Sequence, residues 1–436
     1  MGGGGLSKPW LANISSSLSY GMSFLVTIAG GPLINKIGIK WSCFIAAMAM
    51  PLRGSSLYVN SRYGVDWYLL FGNLIDGAAS GFLYVAETTA MLSYPQPEQR
   101  GLGSLIGGAI NFSKNRGASS AGGVAWSTYV IFISFECMGV ICALLLSPTR
   151  KVARSDGSKI LVPDRLSWKQ EFRILWKAMQ KKQVLGIIVP SFYSFFYGGT
   201  MGTYLSLHFS VRARALSSLI VRTCGGTLAL LPPPDCRIYR LTSLSIAALT
   251  IPSVLAYGKI LDGNWTSRKR HAQLCILLWV IPAAAAFIWI GIENHRVASQ
   301  PALDYVTSSG SWARAYIPYL IIFVVGYWTQ LSLYWILGNF SLDVGNTARM
   351  GGLFRAFETA GQAVSYGINS SSSIGGTTTL YVNCGLFVAS LPFLWWLIHI
   401  MPPVPGMLET EGIDPKGHVI GDQEIGDPQG VDTKKH

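Results

Sequence analysis

The sequence predicts an all-α membrane protein: two groups of bilayer-spanning helices joined by a long basic loop. Three observations lead there. Half of the 436 residues are hydrophobic, 13% are charged and the mean hydropathy is +0.37. A water-soluble fold of that composition would expose apolar surface almost everywhere, whereas a lipid-facing surface has no such difficulty. Apolar runs of the roughly 20 residues that one spanning helix needs recur from Leu11 to Met401. The basic residues sit mainly between these runs, so the net charge of +13 marks membrane topology rather than nucleic-acid binding.

Taken in order, residues 1–13 are a Gly-rich N-terminal segment without an apolar signal core, so the first apolar run is expected to direct insertion. An incomplete N-terminal helical half is expected over 14–147, with spans near 14–34, 41–59, 68–92 and 126–147 and a weaker one near 101–112. Residues 148–183 form a basic loop: ten basic residues lie between Ser147 and Gln183 against Asp156, Asp164 and Glu171. The positive-inside bias makes it cytoplasmic. The same count puts Lys36, Lys40, Arg100, Arg268 to Arg270 and Arg349 in cytoplasmic connections, and conflicts with Arg212, Arg214, Arg222, Arg237 and Arg240. The C-terminal half, 184–401, offers spans near 184–209, 241–261, 272–292, 315–337 and 379–400, and a weaker one near 350–370. Within it, 219–240 is irregular, with Arg222 and Pro232-Pro233-Pro234 where an apolar helix would continue. Residues 402–436 read as a disordered cytoplasmic tail. About eleven spans put the termini on opposite sides, and two helical halves around a loop are the plan of many secondary transporters.

Ionisable residues inside spans are functional candidates, because each is costly unless paired or hydrated. They are Arg53, Asp76, Glu87, Glu136, His208, Arg355 and Glu358. Asp76 and Glu87 stand three turns apart on roughly one helix face, as a proton-carrying cavity lining requires. Arg355 and Glu358, three residues apart, can pair with each other. Arg53 has no evident partner in the sequence other than Glu136. Gln330, Tyr334, Asn339, Gln362 and Tyr366 supply hydrogen-bonding groups for a cavity wall or for helix packing. Gly77-x-x-x-Gly81 and Gly103-x-x-x-Gly107 are close-packing motifs, and Asn13 and Asn369 head glycosylation triplets. The seven cysteines lack metal spacing. No Walker loop, zinc-protease, nucleophile-elbow or CxxC motif occurs, so no catalytic residue, metal or cofactor is expected.

Between the first two apolar runs stand Gly31, Asn35, Lys36, Gly38 and Lys40, at positions that resemble the loop signature of the major facilitator superfamily. Asn35 replaces the family's acid and Ile39 one of its cations. A degenerate second copy, Gly258 to Asp262 followed by Arg268-Lys269-Arg270, stands at the matching place of the second half. Three longer stretches, Gly81 to Pro97, Thr203 to Ser217 and Tyr334 to Gln362, are similar to fungal Unc-ninety-three-like proteins of that superfamily. The resemblance implies a two-half bundle of twelve helices. Residues 2–13 resemble the stretch that follows the family's first helix, so the chain reads as truncated before the usual second helix and altered near 219–240.

The expectation is therefore a multi-pass protein that moves a small solute by alternating access, in the plasma membrane or an endomembrane. The alternative, which the resemblance also implies, is a non-transporting regulator or chaperone of an ion channel or receptor. Expected partners are the lipid bilayer and either a small solute or a membrane protein, with no nucleic acid.

Overall fold

A computed structural model describes residues 9–93, 126–148, 166–210, 213, 252–263, 265–340, 344–371 and 377–403. The regions near 101–112 and 219–240, the arginines from Arg214 to Arg240 and the tail beyond residue 403 lie outside them, as do Cys224, Cys236 and Gly103-x-x-x-Gly107.

The described helices are α1 (Pro9–Ile28), α2 (Gly30–Ile37), α3 (Ile39–Tyr63), α4 (Asp66–Ser93), α5 (Trp126–Leu145), α6 (Trp168–Met179), α7 (Lys182–Ser194), α8 (Tyr197–His208), α9 (Arg268–Val297), α10 (Ser309–Gly338), α11 (Val344–Ser370) and α12 (Thr378–Ile400). A further helical run covers 252–261. A single bridge, Phe209 to Leu303, is the strand-like pairing among the described residues. Helices are the form in which a chain inside lipid satisfies its own backbone. Interior prolines at 51, 190, 282, 318 and 392 are tolerated within them, as buried spans allow.

By length and composition α4, α7 with α8, α9, α10 and α12 can each cross a bilayer, and α1 with α2 makes a sixth span bent by 67°. The bend falls at Ala29, just before Gly30-Gly31-Pro32. The 25-residue α3 and the 27-residue α11 are as long but more polar. The reason is their position: α3 buries Ser42, Ser56 and Asn60, and α11 buries Arg355, Glu358, Thr359 and Ser365. In contrast α9 leaves Leu274, Ile281, Ile288 and Ile292 exposed, as a lipid-facing helix does.

The seam of the bundle is α1 against α11, the most extensive helix pairing described. It is held at one end by Asn13 Nδ2 donating to Asn369 O at 2.9 Å and Ser17 Oγ donating to Ala363 O at 2.8 Å. At the other end Gly31 lies against Arg349, where an added Cβ would stand 2.5 Å from the Arg349 Cα, so only glycine permits the approach. Gly77 serves the same purpose between α4 and α1, with its virtual Cβ 2.2 Å from the Ser19 carbonyl oxygen. Asn369 also donates to Ser365 O and accepts from Thr379 Oγ1, so the amides of both glycosylation triplets are engaged between helices.

Two faces follow from this arrangement. One carries α2, α6, the start of α7 and the start of α11, and is called here the α6 face. The opposite face carries the α3–α4 turn and the connection from α9 to α10.

Candidate functional site

Midway along the seam is a buried polar cluster drawn from α4, α10 and α11. Arg355, 1% exposed, donates from Nη1 to Glu358 Oε1 at 2.7 Å, one turn along its own helix. Its Nη2 lies 3.8 Å from Glu87 Oε2 of α4. Gln330 Nε2 of α10 donates to the two Glu358 oxygens at 3.2 and 3.4 Å. The guanidinium sits 4.3 Å over the Tyr84 ring, which stabilises a desolvated cation through the ring's negative face. Arg355 Nε and Gln362 Oε1 are buried without a hydrogen-bond partner among the described residues. Such atoms are costly in an apolar interior and available to a ligand or water.

Aromatic side chains close the cluster. Tyr334 OH lies 3.4 Å from Thr88 Oγ1, and the Tyr334 ring stands 4.8 Å from that of Phe354. Tyr20 of α1 and Tyr366 of α11 stack at 5.7 Å across the seam. Six residues expected from the sequence thus share one neighbourhood: Glu87, Gln330, Tyr334, Arg355, Glu358 and Gln362. Tyr84 was not among them. Its place one turn before Thr88 and three residues before Glu87 was the available signal, because a ring there shares the helix face of the acid.

Asp76 is elsewhere. It is 4% exposed and accepts from Arg53 Nη1 at 3.1 Å, which gives Arg53 the partner that the sequence did not reveal. Glu136 approaches the same place: its Oε2 is 2.6 Å from the Cβ position of Gly54 and has no hydrogen-bond partner among the described residues. His208 bonds Asn294 Oδ1 through Nε2 at 2.8 Å, at the opposite face.

The loop signature forms a second cluster, at the α6 face. Asn35 Nδ2 donates to Glu171 Oε2 at 3.3 Å, and Arg349 of α11 donates to the same oxygen from Nη2 at 2.8 Å and from Nε at 3.1 Å. Arg349 is thus a buried member of α11 rather than a loop cation, and Glu171 is 2% exposed. The acid missing at Asn35 is supplied from α6, which a capping box at Ser167 and Gln170 starts in register. Lys36 donates to the Leu166 carbonyl and lies 5.6 Å over the Trp168 ring. Gly38 connects α2 to α3 at a φ of +85°, and Lys40 is half-buried in the first turn of α3. In the degenerate copy, Gly258 O accepts from the Asp262 N–H at 3.1 Å, and Arg268 Nη1 donates to Asn339 Oδ1 at 2.6 Å. Among the described residues no group of His, Cys, Asp and Glu is placed to hold a metal ion.

No protein-family model matches the sequence. The chain is 30% identical over 405 residues to Notoamide biosynthesis cluster protein O' of Aspergillus versicolor, covering 90% of this chain and 82% of that protein. UNC93-like protein 1 of Arabidopsis thaliana is 25% identical over 419 residues, or 92% of this chain and 85% of that one. Among solved structures, a bacterial homologue of the iron transporter ferroportin in its outward-facing state superposes with a TM-score of 0.57 at 11% identity, covering 89% and 90% of the two chains. The proton:xylose symporter XylE gives 0.55 at 12% identity, covering 92% and 89%. At such identities the structures speak for the fold alone. With its spanning helices, its seam and these relatives, the chain is a multi-pass membrane protein of the major facilitator fold and belongs to the UNC93-like family.

Proposed function

We propose that the protein is a secondary transporter of a small solute, working by alternating access around the α4–α10–α11 cluster. The observation that carries this reading is the asymmetry of the Arg355 pairing. Its tight contact is within α11, at 2.7 Å, and its loose one reaches across the seam to Glu87, at 3.8 Å. A purely structural core would gain as much from apolar packing, since buried ion pairs are often no more stabilising than hydrophobic replacements. A loose pair across a moving interface can exchange for solute, water or a proton while the arginine stays paired on its own helix. Glu87 is the acid assigned to coupling. The α6 face is assigned to the cytoplasm, where the basic residues of the inter-half loop belong. There the Asn35–Glu171–Arg349 contact acts as the closing clasp.

The test is flux of a panel of radiolabelled small solutes into proteoliposomes under an imposed proton gradient. Gradient-dependent flux that is lost in Glu87→Gln, with the variant still folded, supports the reading. A well-folded protein that moves no solute under any gradient overturns it in favour of a membrane regulator.

A further inference from the structure

Helix α6 has three sides of different chemistry. Glu171, Leu175 and Ala178 are buried against the bundle. About 100° around the helix, Trp168, Phe172 and Trp176 form a stripe at four-residue spacing and are 48%, 47% and 65% exposed. Trp168 and Phe172 stack at 6.3 Å, so the stripe is a continuous apolar surface. The outermost side carries Lys169, Arg173 and Lys177, and Lys181 and Lys182 follow at the start of α7, all exposed. From 167 to 183 the one acid is Glu171, and it is buried. The helix ends at Met179 and the span of α7 begins at Lys182, so chain connectivity holds α6 at the depth where that span leaves the bilayer.

An aromatic stripe flanked by cations at that depth is the composition of a helix lying in the lipid headgroup layer. We infer that α6 is an interfacial helix whose Trp168–Phe172–Trp176 stripe inserts among the lipids and whose basic side binds anionic headgroups. The partner is a lipid surface, because five exposed cations without an exposed acid complement an anionic leaflet and the stripe matches its acyl boundary. The contact also bears on the clasp, since Glu171 is carried by the same helix.

The experiment uses the full chain in nanodiscs, with its seven cysteines replaced and a bimane probe attached after Trp176→Cys. The discs contain phosphatidylcholine alone or mixed with phosphatidylserine. Quenching is read from aqueous iodide and from lipids carrying a nitroxide near the headgroup. The expected result is quenching by the lipid nitroxide, protection from iodide, and stronger protection with phosphatidylserine. Lys169→Gln, Arg173→Gln and Lys177→Gln together remove the phosphatidylserine effect, each cation being worth about five-fold in association near an anionic surface. Should that variant fail to fold, added salt on the unmodified basic side must remove the same effect. A probe open to iodide in both discs overturns the inference and leaves the face to an aqueous partner. A probe shielded from both quenchers overturns it too, in favour of a protein segment or second copy on the stripe. Transport is not read at any point, so the outcome is independent of the proposed function.

Discussion

Two arginine–glutamate clusters on α11 use the same chemistry for different ends. At the centre, Arg355 is paired three residues along its own helix and only loosely with Glu87 across the seam. At the α6 face, the glutamate that pairs with Arg349 comes from another helix: it is Glu171 of α6 at 2.8 Å, with Asn35 of α2 on the same carboxylate. If the two groups of helices part as proposed, Arg355 keeps Glu358 and gives up only its contact to Glu87. The second joins three elements through one carboxylate and has to break as a unit. On the proposed reading, the difference puts the resistance to opening in the clasp, while the central pair exchanges its looser contact.

The largest effect belongs to the centre, where burial is complete. Glu358→Ala leaves Arg355 without its tight partner and is expected to lower stability by about 3–5 kcal/mol, read by thermal unfolding in detergent. Replacing both residues by apolar ones should recover most of that loss but not the proposed flux. Arg349→Ala removes its two bonds to Glu171, an expected loss of about 2 kcal/mol. Its signature is faster modification of a cysteine placed at Lys36, with a smaller loss of stability than Glu358→Ala, whereas equal effects from Glu358→Ala and Arg349→Ala would erase the contrast between the clusters. Asn35→Asp restores the acid of the loop signature beside a carboxylate already in place. It should weaken the clasp by about 1 kcal/mol through like-charge repulsion, and Glu171→Gln in the same chain should reverse the change in accessibility. The smallest effect is Tyr20→Leu, which removes one side of the stack on Tyr366 and should cost about 0.5–1 kcal/mol.

Much of the fold was legible because lipid imposes length and apolarity together: α4, α9, α10 and α12 stand where continuous apolar runs predict them. The segment near 350–370 was weak in the sequence for a physical reason. As α11 it faces protein on most sides, so its polar residues meet partners rather than lipid. The Arg355–Glu358 pair was legible from helical spacing alone. Arg53–Asp76 and Arg349–Glu171 were not, since they join positions 23 and 178 residues apart on different helices. No local period encodes such contacts. Glu171 could have been singled out as the one acid of a basic amphipathic helix lying on the side of Leu175 and Ala178. Its partner could not.

The most direct test of alternating access is a pair of distances measured by pulsed electron paramagnetic resonance in liposomes. One pair of spin labels replaces Trp41 and Arg270 at the α6 face, and the other Tyr63 and Val306 at the opposite face, all exposed positions. The account predicts that the two distances change in opposite senses when a proton gradient is imposed or when Arg349→Ala opens the clasp. Distances that stay fixed, or lengthen together, would contradict a bundle that rocks about the α4–α11 cluster.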